Sequence, residues 1–248
     1  MTEKIFIVLT ILLYSVFGSP SDLFSQGKTD CKEMLRCVFD EMMEPGYQVP
    51  EGKAYYMDYS VSSELRGAEN QAGVERIQAV LTANQIRVQS DHMEIYSSPI
   101  ETFTVLPLEK KIYWADSDNR FGSGVRQQYT FRLQDSLFAY STVKTCHTVS
   151  KDTQDLQRVV LQLSEKGKRS LNYQELDFLF YPDQKKLFSS IITFGDRGQY
   201  ERIEMRFFEI SYDYKGQFSP IDFNETYIRN GKLVSDKYAD YDLIDVRK

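Results

Sequence analysis

Residues 55–65 read Tyr-Tyr-Met-Asp-Tyr-Ser-Val-Ser-Ser-Glu-Leu. Tyr55, Met57, Tyr59, Val61, Ser63 and Leu65 stand at every second position and are mostly apolar, with Asp58, Ser60, Ser62 and Glu64 between them. That period of two is the mark of a half-buried antiparallel strand with one wet face. Outward from it, Gly67 to Gly73 reads as a turn. Strands are then predicted at Arg76–Ala83, Gln85–Ser90, Met93–Ser97, Thr102–Leu106 and Lys111–Ala115. The links are too short for crossover helices, so neighbouring strands form a meander. Alternation resumes at Val143–Val149 and continues through Val159–Leu163, Leu176–Phe180, Leu187–Phe194 and Arg202–Tyr214. Pro182–Lys185 and Gly195–Gly198 read as the intervening turns. From Phe218 the chain is Tyr- and Asp-rich and less regular, with one edge strand expected near Leu243–Val246.

Before residue 53 the period is helical. Met34, Leu35, Val38, Phe39, Met42 and Met43 form one apolar stripe, Thr29 or Asp30 can cap it, and Pro45-Gly46 should end it. A second, weaker stripe (Val125, Tyr129, Leu133 and Leu137) predicts a helix over about 125–140. The first 25 residues have the layout of a secretory signal peptide: Lys4, an apolar run from Ile5 to Gly18, then small and polar residues. Cleavage is expected near Ser25 or Gln26, leaving residues 26–248 as a single domain with an extension from about 217. Export permits a disulfide among Cys31, Cys37 and Cys146. On a helix Cys31 and Cys37 lie about 9 Å apart along the axis and on different faces, so they do not bridge each other. Cys37–Cys146, Cys31–Cys146 and three free thiols all remain open.

The chain has 248 residues, 42% hydrophobic and 27% charged, which is globular composition. Its 17 Tyr and 16 Phe favour strands. The net charge of −6, with no clustered Lys or Arg, argues against nucleic acid as a partner. His92 and His147 are the only imidazoles. Cys146 and His147 are adjacent and point to opposite faces of a strand, so they make no catalytic dyad. Gly27-Lys28-Thr29 imitates the end of a P-loop, but Asp22 stands where the first glycine belongs. The Asp116–Gly122 loop departs from a calcium loop at Arg120 and Gln127. Asp236, Asp240, Asp242 and Asp245 read as a charged, wet edge. No catalytic residue, metal ligand or cofactor is expected.

Ten or more antiparallel strands with one apolar face must cover that face. A second sheet would make a sandwich; curling around a helix would make an open or closed barrel. The stretch from Gln85 (Gln-Ile-Arg-Val-Gln-Ser-Asp-His-Met-Glu-Ile-Tyr) through Thr102-Phe-Thr-Val-Leu-Pro-Leu-Glu-Lys-Lys-Ile-Tyr-Trp114 resembles the LolA/LolB-like outer-membrane lipoprotein carrier superfamily. Tyr173–Gly198 and Arg202–Tyr212 are similar to that superfamily's closing hairpins and following strand, and the helix before the first strand fits too. The resemblance spans about 30–215.

The resemblance implies a mainly β fold: a curved antiparallel sheet forming an open half β-barrel. The N-terminal helix and a second short helix would form a lid over an apolar cavity for acyl chains. It further implies a monomeric periplasmic carrier of lipid or lipoprotein, without chemistry, serving membrane-associated donor and acceptor proteins. There is no lipobox, the tail from Gln217 is extra, and the superfamily's lid-contacting arginine matches no residue here. Candidate ligand contacts are Tyr55, Met57, Tyr59, Phe103, Val105, Ile112, Trp114, Phe178, Phe180, Met205 and Phe207, with Leu35, Phe39 and Met42 of the helix covering them. The alternative is a filled interior, with Tyr212, Tyr214, Phe218, Phe223, Tyr227, Tyr238 and Tyr241 exposed to a protein partner.

Overall fold

The computed structural model describes residues 31–47, 49–67, 72–117, 137–151 and 154–247. The leader expected over 1–25 lies outside them, as does nearly all of the helix expected over 125–140. Helix α1 (Cys31–Tyr47) is followed by β1 (Tyr55–Leu65), β2 (Ala72–Leu81), β3 (Ile86–Gln89), β4 (Glu94–Ser97), β5 (Glu101–Leu106) and β6 (Lys111–Asp116). After a helical turn at 137–139 come β7 (Ser141–Lys151), β8 (Gln154–Leu163), α2 (Glu165–Leu171), β9 (Tyr173–Tyr181), β10 (Lys186–Phe194) and β11 (Tyr200–Ser211). The tail holds α3 (Phe223–Tyr227), a small hairpin of β12 (Ile228–Arg229) and β13 (Lys232–Leu233), a 3-10 turn (Asp236–Tyr238) and β14 (Asp242–Asp245). No helix among the described residues is long and apolar enough to cross a membrane.

Among the described residues twelve strands form one open sheet in the order β14-β6-β5-β4-β3-β2-β1-β11-β10-β9-β8-β7, not closed into a barrel. The sheet is not wholly antiparallel as expected, because β14 pairs with β6 in parallel. The tail reaches β6 by a long return, so hairpin geometry does not set its direction. Helix α1 also departs from expectation by running through Pro45-Gly46 to Tyr47. The proline removes one intrahelical hydrogen bond, to the carbonyl at 41, and the loss stays within the final turn because the helix ends two residues later. Helix α2 has no counterpart in the sequence reading. Ser164 caps it by accepting from the Gly167 amide, and Asn172, with φ 58°, closes it. A Cβ on Gly167 would stand 2.9 Å from that of Tyr140, so glycine is required there by close approach.

Contacts divide the described residues into two units: 31–47, 60–67, 72–74, 137–151 and 154–208 in the first, 49–59, 75–117 and 209–247 in the second. In the first unit, Val159 of β8 lies opposite Phe178 of β9, which lies opposite Ser190 of β10, which lies opposite Met205 of β11. A parallel row runs Leu161, Leu176, Ile192 and Ile203. All eight are buried. The other face carries the ion pairs, with Leu156 and Val160 buried among them: Arg158 makes a bidentate bond to Asp177, and Lys144 pairs with Glu175.

In the second unit the register runs Gln78, Gln89, Glu94, Val105 and Ile112 along one row. Beside it run Arg87, Tyr96, Phe103 and Trp114. The tail covers this face: Phe223, Ile228 and Tyr238 join Tyr96, Phe103, Val105, Ile112 and Trp114 in one cluster. The tail's aromatics are therefore not a free surface. Phe223 and Tyr238 are 2% and 1% exposed, and Tyr212, Tyr214, Phe218, Tyr227 and Tyr241 are half-buried. Their irregular spacing, which suggests an exposed tail, belongs to a segment that crosses a sheet face instead of joining it.

Candidate functional site

Helix α1 lies over the first unit's apolar face. Its stripe supplies Leu35 and Met42, both buried, and Phe39, which meets Phe178 edge-on at 5.3 Å and Phe138 at 5.9 Å. The helix is fastened at its N-terminus and at one point past its middle. Cys31 is bonded to Cys146 of β7, and Lys32 Nζ donates to the Ser141 carbonyl at 2.7 Å. Past its middle, Glu41 pairs with Lys185 of the β9–β10 turn at 3.2 Å. Cys146 lies opposite Val159, so the disulfide joins the same cross-strand row as Phe178 and Met205. Of the three pairing states left open by the sequence, the structure has Cys31–Cys146, with Cys37 free. Burial, then the carboxylates of Glu33 and Asp40, push the Cys37 thiol above its ordinary pKa, which disfavours thiolate chemistry.

Leu35, Phe39, Met42, Phe178, Phe180, Met205 and Phe207 all belong to the first unit. The other seven candidates belong to the second and divide between its two faces. Tyr56 OH accepts from Gln78 Nε2 at 2.8 Å, and Arg76 holds Asp58 in a bidentate bond. Tyr56 and Asp58 therefore share the face of Gln78, which the register carries to Phe103, Val105, Ile112 and Trp114. Tyr55, Met57 and Tyr59 point the opposite way. Both groups are buried, so alternation along β1 marks no solvent face at Tyr55–Tyr59. Tyr55 stacks on Tyr212 at 5.5 Å, and burial holds its phenol strongly neutral.

The Phe103 group is occupied by the chain's own rings: Phe223 stacks on Phe103 at 4.5 Å and stands 5.5 Å from Tyr238. A hollow of about 10 Å³ beside Phe103 and Phe223 is the size of one water. Within this cover lies a carboxylate that the sequence reading misses. Glu94 accepts from the hydroxyls of Tyr96 and Tyr238 and from Lys237 Nζ, the last at 3.0 Å to each oxygen. Burial would raise its pKa, but Tyr96, Lys237 and Tyr238 together outweigh burial and hold it below the ordinary value. The available signal is parity: Glu94 is two residues from Tyr96, so it shares the apolar face of β4.

No protein-family model matches the sequence, and no curated protein matches it. Among solved structures, the chain is similar to an uncharacterized conserved protein from Thermus thermophilus, at 10% identity and TM-score 0.40, over 88% of this chain and 98% of that one. It is similar to a LolA superfamily protein from Nitrosomonas europaea at 9% identity and TM-score 0.28, over 75% of this chain and 94% of that one. It is also similar to LprF from Mycobacterium bovis at 8% identity and TM-score 0.38, over 73% and 92%.

Proposed function

We propose that this protein is an exported, non-enzymatic periplasmic carrier that holds the acyl chain of a lipid or lipoprotein beneath α1, against the strand face of Phe178, Phe180 and Met205. The single observation that carries this reading is the manner in which α1 is attached. The Cys31–Cys146 bond and the Lys32 contact tie its N-terminus, its Glu41 contact is one ion pair with both side chains nearly half exposed, and Leu35, Phe39 and Met42 face apolar strands. A cover tied covalently at one end can lift along the rest of its length and remain in place. Acyl burial would contribute about 0.8 kcal/mol per methylene, and Met42 and Met205 adapt readily to such a chain.

A second reading, a protein-binding scaffold with a filled interior, draws on the burial of Leu35, Val38 and Met42 by the chain itself. Native mass spectrometry of protein purified from its own periplasm separates the two. The carrier co-purifies with lipid, and the delipidated protein takes up a fluorescent acyl probe. Phe178→Asp abolishes that uptake, and the volume-filling Met42→Trp, with its unfolding midpoint checked, reduces it. A folded wild-type protein that is empty and takes up no probe overturns the carrier reading.

A further inference from the structure

At the β9–β10 turn end of the first unit, the ion-paired face changes character. Phe208 of β11 is 51% exposed. Phe188 sits at a β-bulge, where the register between β9 and β10 shifts across Leu187 and Ser189. Its ring meets Tyr181 edge-on at 6.0 Å and lies between two cations, with Lys151 Nζ at 4.3 Å and Arg206 Cζ at 5.5 Å. Arg206 also stands 5.7 Å from the ring of Phe208. Elsewhere on this face cations are matched by carboxylates, as in Arg158–Asp177 and Lys144–Glu175. Lys151 and Arg206 instead lie over aromatic rings, which orient a cation without cancelling its charge. Bulges re-aim side chains where a strand must present one.

We infer that Tyr181, Phe188 and Phe208, with Lys151 and Arg206, form a docking surface for an anionic phospholipid bilayer. Aromatic rings suit the level of the headgroups, and each cation next to an anionic surface strengthens binding about five-fold. Charge complementarity favours this occupant over a neutral membrane. The inference does not depend on the acyl site beneath α1.

The test is sedimentation of the full chain with vesicles of phosphatidylcholine alone, and of phosphatidylcholine with phosphatidylglycerol. Binding should require phosphatidylglycerol and weaken with added salt. Phe208→Ser should reduce it several-fold, and Lys151→Gln and Arg206→Gln about five-fold each. Lys144→Gln on the same face should leave it unchanged, and matching unfolding midpoints exclude misfolding. No sedimentation, equal binding to both vesicles, or variants that bind like the wild type would overturn the proposal. So would a competing effect of soluble inorganic phosphate equal to that of vesicles. Acyl-probe uptake by the Phe208→Ser protein keeps the two proposals separable, since it reports on the site beneath α1 alone.

Discussion

In the first unit the cover over the apolar strands is a helix joined to β7 by Cys31–Cys146; in the second it is the chain's own tail, held by rings and by the Glu94 node. The difference is physical. A covalent bond closing 115 residues keeps α1 near its strands however closely its side chains fit. The tail depends on fit, and its contacts are correspondingly dense: Phe223 meets Tyr96, Phe103, Tyr227 and Tyr238 at centroid distances of 4.5–5.5 Å. Room for a ligand is therefore to be sought under the stapled helix and not under the tail.

The largest test of that contrast is Phe223→Ala. It removes a 2% exposed ring from the centre of the tail's packing and should cost about 3–5 kcal/mol, measured by denaturant unfolding. Trp114, the only tryptophan, lies in this cluster, so its fluorescence reports the second unit directly. A loss below about 1 kcal/mol would mean the tail is not held by packing. Next is Cys146→Ser, expected to cost about 2–4 kcal/mol. Amide exchange should rise across 31–42 while 223–245 stays as slow as before. Equal loosening of both covers would break the contrast.

Much of this is legible in the sequence, and the part that is not has a common cause. Period two locates β1 and the strands that follow, and even the edge strand near Leu243. All fourteen candidates except Phe39 prove buried. Period two does not say which face of a sheet a strand's apolar side joins, because that depends on register with neighbours. Asp58, between Met57 and Tyr59, has the pattern of a wet position, yet it is 5% exposed and bonded to Arg76. Hence the pattern alone groups Tyr55, Met57 and Tyr59 with Phe103 and Trp114, which lie on the other face. The tail's role is hidden for a related reason: a segment crossing a sheet has no period to read.

Acid provides the next comparison. The Glu94 carboxyl has a folded pKa below its ordinary value of about 4.3. Its contribution is therefore complete above that value and is lost as pH falls through the lower folded one. Trp114 fluorescence should show the tail loosening only below about pH 4, while exchange across α1 is unchanged over the same range. Lys237→Met removes the cation and should move that transition to higher pH, at a loss of about 1–2 kcal/mol near neutrality. Glu94→Gln should flatten the acid limb. An acid transition that keeps its position in Lys237→Met would show that another carboxylate controls the tail.

The smallest effect belongs to the ion-paired face of the first unit. Arg158 and Asp177 form a bidentate pair, with side chains 45% and 16% exposed. Its geometry is as good as that of the Glu94 node, but water competes for both partners and salt screens them. Asp177→Asn should therefore cost less than about 1 kcal/mol, and the loss should shrink further in high salt. Stability, α1 exchange and Trp114 fluorescence should all stay close to wild type. If Asp177→Asn instead loosened α1, the two faces of these strands would be coupled, and the helix would owe its position to more than its disulfide and its apolar stripe.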